Sequence, residues 1–494
     1  MKKVVIIGGG ISGLSAGIYA LQQDFEVEIY EKNNVLGGEC TGWYRDGYLV
    51  DNCMHWLTGC RPGEKLRGLW NNVGVLGEDI ELYKEELFYR GEFDGVKLCF
   101  WRDIERSRKE FLEVSPEDET AINEFFDSVK RAECVVVPSD QSMADMGIIA
   151  NIKFSMSMAE MGRVLMKHGK ETVAQLAEHF RHPAIQKMIR SYYEPHHSAV
   201  SLITSYGFFT SGSAAIPEGG SIGLIKRMRE RYESLGGKLF LNSPVASSDV
   251  QKGNIVSVTL ENGDVITADA FLFACDPIVT FNHILDKKYT PKKLKKLYKD
   301  RSGYPVSSAF IAAFGIVGTD EISMENGSEL FSCEPYTAVG KEYDFVSARL
   351  YDYDKTLYPD GKRVIQCTIM QDENDYDHWR ELHADRSAYV EEKKRISEEL
   401  LRRLTEKYPE LNGRLVFLSA CTPITFKRYC GAFKGSYMSF IPVEGKKSIY
   451  LKSSVSGIKN AFLASQWLQP TGGLPLAATS GKFAVQSIVR KCVI

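Results

Sequence analysis

Residues 4–7 are an unbroken apolar run, followed by three glycines, a stripe of apolar residues at helical spacing from about Ile11 to Gln23, and a second apolar segment around Val27 and Ile29 that ends at Glu31. This order predicts a buried parallel strand, a glycine turn, a helix and a second strand. From about Phe88 to Phe209 the pattern is mostly helical, with Ser115 as a predicted N-cap and Pro116 in the first turn of one helix. The stretch from Ile216 to Pro277 predicts a helix over Leu224–Ser234 stopped by Gly236 and Gly237, a strand at Lys238–Leu241 leading to Val245, and a hairpin turning at Glu261-Asn262-Gly263-Asp264. Beyond Asp276 the segments VSSAFIAAFGIV and KRVIQCTIMQ read as strands, and Arg386 to Lys407 as a charged amphipathic helix. The final stretch reads as strand, loop, Gly-Gly turn and a helix from Ala477 to Val489. No internal repeat or low-complexity linker interrupts these elements.

The first glycine turn has the spacing G-x-G-x-x-G at Gly8, Gly10 and Gly13. Gly8 permits the tight turn, Gly10 leaves room for a pyrophosphate and Gly13 lets helix and strand pack closely. The helix opens at Ile11 and Ser12, turning its positive end and free amides toward that pyrophosphate. Asp24, where the helix must stop, suits a left-handed backbone. Glu31 lies roughly 20 residues beyond the turn, where a carboxylate accepts the hydroxyls of an adenosine ribose and repels a 2′-phosphate. Lys32 follows it at the same edge. Together these features predict a dinucleotide site.

The composition is that of a globular protein: 494 residues, 44% hydrophobic and 25% charged, which suffices for more than one domain. A net charge of -3 offers no basic surface for nucleic acid. Eleven cysteines are scattered with no C-x-x-C pair, so no metal site is expected and a reduced, cytoplasmic protein is. The N-terminus, already the first strand, leaves no place for a signal peptide, and no span of about eighteen apolar residues predicts a membrane helix. Contact with a membrane surface stays open, because Met143, Met146, Met156, Met158, Met161 and Met166 crowd one helical stretch. They suit either core packing or an adaptable apolar surface. The basic run Lys292 to Lys299 reads as a solvated helix face.

Gly37 and Gly38 follow the second strand directly. Here the chain resembles the large flavoprotein family whose N-terminal motif ends in such a pair, which implies FAD rather than NAD. Glu31, Gly37-Gly38, GYLVD ending at Asp51, IPEGGS at Ile216–Ser221, CDP at Cys275–Pro277, TPITFKRY at Thr422–Tyr429 and WLQPTGGLP near the C-terminus extend the likeness over nearly the whole length. With these motifs the chain resembles the phytoene desaturase, carotenoid cis-trans isomerase and retinol saturase group of FAD-dependent oxidoreductases, and more distantly the flavin amine oxidases. The resemblance and the spread of the motifs imply an α/β fold with a Rossmann-like FAD-binding domain assembled from residues 1–80, 215–285 and 445–494. A mostly helical substrate or lid region at 81–214 and a mixed-sheet substrate domain at 286–444 are inserted between them. The resemblance places the backbone of Val245 at the adenine, and Gly435-Ser436-Tyr437 with Thr471, Gly472, Gly473 and Leu474 at the isoalloxazine, Tyr437 facing substrate.

The expected activity is desaturation, saturation or isomerisation of a carbon–carbon bond in a lipophilic isoprenoid or polyene, with an unidentified electron donor or acceptor. Oxidation of an amine or amino acid, and flavin or lipid binding without catalysis, are the alternatives. Two departures stand out. Relatives carry Gly-Asp where this chain has Ser465-Gln466, leaving Gln466 an acceptor without charge, and many carry Arg where this chain has Glu39. Glu39 and His55 are the candidate acid or base groups at the flavin, and the pair His196-His197 is a third candidate in the substrate region.

Overall fold

The computed structural model describes residues 1–358 and 361–492. The strand Lys3–Ile7 lies in the middle of a five-stranded parallel sheet, between Glu26–Tyr30 on one side and Ala270–Phe273 on the other, with Lys238–Phe240 and Ala461–Leu463 at the edges. Three separate stretches of chain, at the beginning, middle and end, therefore build one sheet. The helices Ile11–Leu21 and Leu474–Cys492 pack together beside it, and at their contact a Cβ on Gly481 would lie 2.5 Å from Ser12 O. Val245–Gln251, Asn254–Leu260 and Val265–Ile266 form a small antiparallel sheet next to it. Asp24 adopts a φ of 59°, the left-handed stop expected of it.

A second, seven-stranded sheet runs in the order Leu415–Cys421, Ser308–Ile316, Val364–Gln371, Lys341–Tyr351, Gly327–Ala338, Leu87–Phe93, Val96–Trp101. Its pairs are antiparallel except where Gly327–Ala338 runs parallel to Leu87–Phe93. The helix Arg386–Lys407 has the bounds its periodicity predicts. Its buried Ile396, Leu400 and Leu404 pack into a core shared with Phe310, Phe314 and Trp379.

The hairpin Leu87–Trp101 corrects the helical expectation for its region. Its turn, Asp94-Gly95, takes positive φ at both residues, the geometry that matches strand twist. The helical bundle itself follows: Glu119–Ala132, Pro183–Tyr192 and Ala199–Thr210 enclose Phe100, Phe111, Phe125, Phe126 and Tyr206. Ser115 does not cap this region's helix, since its hydroxyl donates to Asp118 Oδ2 at 2.8 Å and Asp118 in turn accepts from the backbone of Arg181 and His182. No helix among the described residues is long and apolar enough to cross a membrane.

Candidate active site

A cavity of about 870 Å³ opens beyond the carboxyl ends of Lys3–Ile7, Ala270–Phe273 and Ala461–Leu463. Parallel sheets place ligands there, because the helix N-termini converge at that edge. The floor is made by Gly10–Ser12, Gly37–Cys40, Ala274–Asp276, Ser465–Trp467 and Thr471–Ala477, and the opposite wall by side chains of the seven-stranded sheet.

The floor suits an elongated dinucleotide. No side chain caps the helix at Ile11–Leu21 and no acid occupies its first turn, so its leading amides stay available to an anion. A Cβ added at Gly10 would meet nothing closer than Gly37 O at 3.7 Å, so the missing side chain leaves the cleft open to a phosphate; at Gly13 a Cβ would lie 2.0 Å from Gly8 O. Gly10 thus makes room for a ligand, whereas Gly13 makes room for the chain. Gly8, Gly13, Glu31, Lys32 and Val245 lie outside the cavity wall. Buried Glu31 accepts from Gly9 N at 2.7 Å and Asn33 N at 2.8 Å, which fixes its carboxylate at the strand end with further lone pairs to offer. Lys32 is turned away, its Nζ donating to Arg428 O at 2.9 Å. Val245 pairs with Leu260, close behind Ser243, whose N–H donates to Glu31 O.

Gln466 ties three distant stretches together. Its Nε2 donates to Glu39 Oε2 and to Tyr437 O, both at 3.2 Å, and its Oε1 accepts from Gly473 N at 2.7 Å. The carbonyl expected to face a flavin side chain is thus engaged in holding the Gly472-Gly473 loop. Glu39 is half-buried on the cavity wall, and desolvation there pushes its carboxyl up to about 8. The acid that replaces the usual cation is neutral at pH 7. His55 stands exposed toward the cavity, and desolvation with the positive charge of Arg349 lowers the pKa of its imidazole. His196 and His197 lie off the cavity, their rings edge-to-face with centroids 4.8 Å apart. The neighbouring Glu194 lines the wall instead, with burial raising its carboxyl.

Arg349 is the main site residue that sequence reasoning missed. It is 4% exposed, donates to both oxygens of Glu85 at 2.7 and 2.8 Å, and reaches His55 O at 3.3 Å. Its position in a strand that alternates polar and apolar residues gave no sign that this arginine points inward. Asp51 accepts from Ser221 N and Oγ at 2.8 and 2.5 Å and from Cys53 N, joining GYLVD to IPEGGS beneath the site. Across from the glycine loops the wall is apolar and aromatic, with Trp56, Tyr192, Phe208, Leu330, Phe345 and Tyr437.

The profile of flavin-containing amine oxidoreductases matches residues 11–489. A 4,4'-diapophytoene desaturase (4,4'-diaponeurosporene-forming) of Staphylococcus aureus is 24% identical over 99% of both chains. A 4,4'-diapolycopen-4-al dehydrogenase of Metabacillus indicus is 22% identical, over 99% of this chain and 97% of its own. Among solved structures, an engineered putrescine oxidase superposes with a TM-score of 0.63 at 13% identity, covering 99% of each chain, which supports the fold.

Proposed function

Because this chain belongs to the flavin-containing amine oxidoreductases and is an FAD-dependent oxidoreductase, we propose that it adds, removes or isomerises a double bond in a lipophilic polyene of the isoprenoid class. The observation that carries this reading is the aromatic and apolar wall set against the glycine-lined floor within one cavity. Such a wall desolvates a hydrocarbon along its length at about 25 cal/mol per Å². FAD, when bound, supplies a two-electron hydride acceptor or donor.

The chain's own groups supply the proton. Glu39 holds one at its carboxyl up to about pH 8, while the His55 imidazole is held neutral by desolvation and by the positive charge of Arg349. Glu39 is thus the group able to give or take a proton near neutral pH, whereas the His55 imidazole serves as a hydrogen-bond acceptor in the same cavity. Gln466 orients Glu39 through its amide, and Arg349 holds the loop of His55 through the backbone carbonyl. Tyr437, tied to Gln466 through its backbone carbonyl, is the part of the apolar wall assigned to meet the substrate. Glu31, the amides of Ile11 and Ser12, and the backbones of Gly37, Gly38, Val245, Gly472, Gly473 and Leu474 hold the dinucleotide. Anaerobic mixing of the flavoprotein with carotenoid, retinoid and amine panels tests this reading. Flavin bleaching or double-bond change with polyenes supports it, and bleaching by amines alone overturns it.

The same reading gives the substrate a route. Helix Ile148–Ser157 buries no residue, and Ile148, Ile149, Met156 and, on the next helix, Met166 are 81%, 73%, 72% and 82% exposed. This patch, with the exposed Lys153 and Lys170 beside it, is proposed to rest on an anionic membrane surface that delivers the lipophilic substrate. Cosedimentation with vesicles containing acidic phospholipid is expected for the wild type and lost when Ile148, Ile149 and Met156 are changed to Ser. Equal sedimentation of both overturns the membrane role.

A further inference from the structure

We propose that the basic face built on the helix Lys292–Lys299 docks an acidic electron-transfer protein, which exchanges electrons with the flavin. The inference rests on the FAD assignment and leaves the substrate open.

The charge is concentrated in one segment. Residues 286–301 hold seven lysines and one arginine against two aspartates, in a chain whose net charge is -3. The helix buries Leu294 and Leu297, while Lys292, Lys293, Lys295, Lys296 and Lys299 are all exposed. Acids meet only part of the face, Lys288 lying 3.3 Å from Asp286 and Lys446 2.8 Å from Asp300. Lys287, Lys292, Lys295, Lys296 and Lys299 have no ion-pair partner among the described residues. The next segment widens the face, since Lys293 Nζ donates to Tyr450 O at 3.4 Å and Lys446 and Lys447 are exposed. Like charges held this close repel one another, and an acidic partner relieves that repulsion.

The same helix reaches the cofactor cavity from behind. Its Tyr298 hydroxyl donates to Asp276 Oδ1 at 3.0 Å, and Asp276 lies on the cavity wall. The Tyr298 ring packs edge-on against Phe440 with centroids 5.2 Å apart, and Phe440 against Trp467 at 5.0 Å, where Trp467 again lines the cavity. Three packed rings thus join the basic face to the cofactor cleft, a short dry path for electrons between centres held on its two sides. An acidic protein fits this face better than a bilayer does, because the helix presents lysines with no exposed apolar side chain to enter lipid. For each substrate bond oxidised or reduced, two electrons leave or enter the flavin. Two molecules of a one-electron carrier accept or supply them, and the two protons go to or come from water.

The oxidised holoprotein is titrated with oxidised plant-type ferredoxin, an acidic one-electron carrier, and binding is read by calorimetry. Binding is expected at low salt and should weaken at least about tenfold as ionic strength rises from about 20 mM to about 200 mM. The variant carrying Lys292→Glu, Lys295→Glu, Lys296→Glu and Lys299→Glu should lose it, while the Tm, the flavin spectrum and direct reduction by dithionite stay as in the wild type. Anaerobic mixing with reduced ferredoxin should bleach the wild-type flavin, and that of the variant at least about tenfold more slowly. Equal binding by wild type and variant overturns the proposal, as does equally tight binding of ovalbumin, an acidic protein with no redox centre. Capture of the wild type by phosphatidylglycerol vesicles through these lysines, with no ferredoxin bound, overturns it in favour of a membrane contact. A colourless protein would refute the FAD assignment and the electron exchange together, whereas a yellow protein that leaves ferredoxin unbound at low salt refutes the docking face alone.

Discussion

Glu39 shows how position reverses the expectation attached to a residue type. In the sequence it replaces a cation with an anion; in the folded chain burial raises it to about 8 and removes most of that charge at neutral pH. The consequence for stability has a definite sign. A carboxyl whose folded pKa exceeds its unfolded value contributes stability below about pH 4.5, loses it as pH rises toward 8, and changes no further above that. Glu39→Gln is therefore expected to stabilise the apoprotein at pH 7 by on the order of 1–3 kcal/mol, read by denaturant unfolding. The same variant should remove an inflection near pH 8 from the rate of flavin reduction. Glu31 is the contrasting case, since its place at the end of the second strand is readable from spacing alone and the ribose contact is what we propose for it. Glu31→Gln keeps the shape but loses the charge, and should weaken FAD retention about tenfold in a flavin-release assay.

The strand–turn–helix at the N-terminus was legible because each requirement is local. Gly8 stands at φ 107°, and Gly13 leaves no space for a side chain. Gly13→Ala should disturb the turn itself and lower the Tm by several degrees, roughly 5 °C or more, while Gly10→Ala should hold the Tm and lower FAD affinity. Parallel measurement of melting and binding separates the two. The Leu87–Trp101 hairpin was not legible from hydrophobic period, since both of its faces are covered and Arg90 and Glu329 are buried inside the sheet. Its Asp-Gly turn was the signal available. The Ser115 cap failed for a different reason, in that a 3-10 turn at Pro116–Asp118 precedes the helix and Asp118 anchors a second segment.

Arg349 lies 264 residues from Glu85 and 294 from His55, and it joins the carboxylate of the one to the backbone carbonyl of the other. Arg349→Gln leaves the Glu85 carboxylate buried with its charge partner removed, and is expected to cost about 3–5 kcal/mol in urea unfolding. The parallel sheet draws strands from both ends and the middle of the chain, which explains why the motifs appear at the beginning, middle and end. The turn glycines, the acid that ends the second strand and the helix Arg386–Lys407 were readable from the chain, because each depends on spacing within one element, and FAD followed from the family resemblance of the motifs. The neutrality of Glu39, the inward arginine and the bridge made by Gln466 were not. Those properties arise from desolvation and from contacts between segments, and neither exists until the fold brings distant residues to one surface.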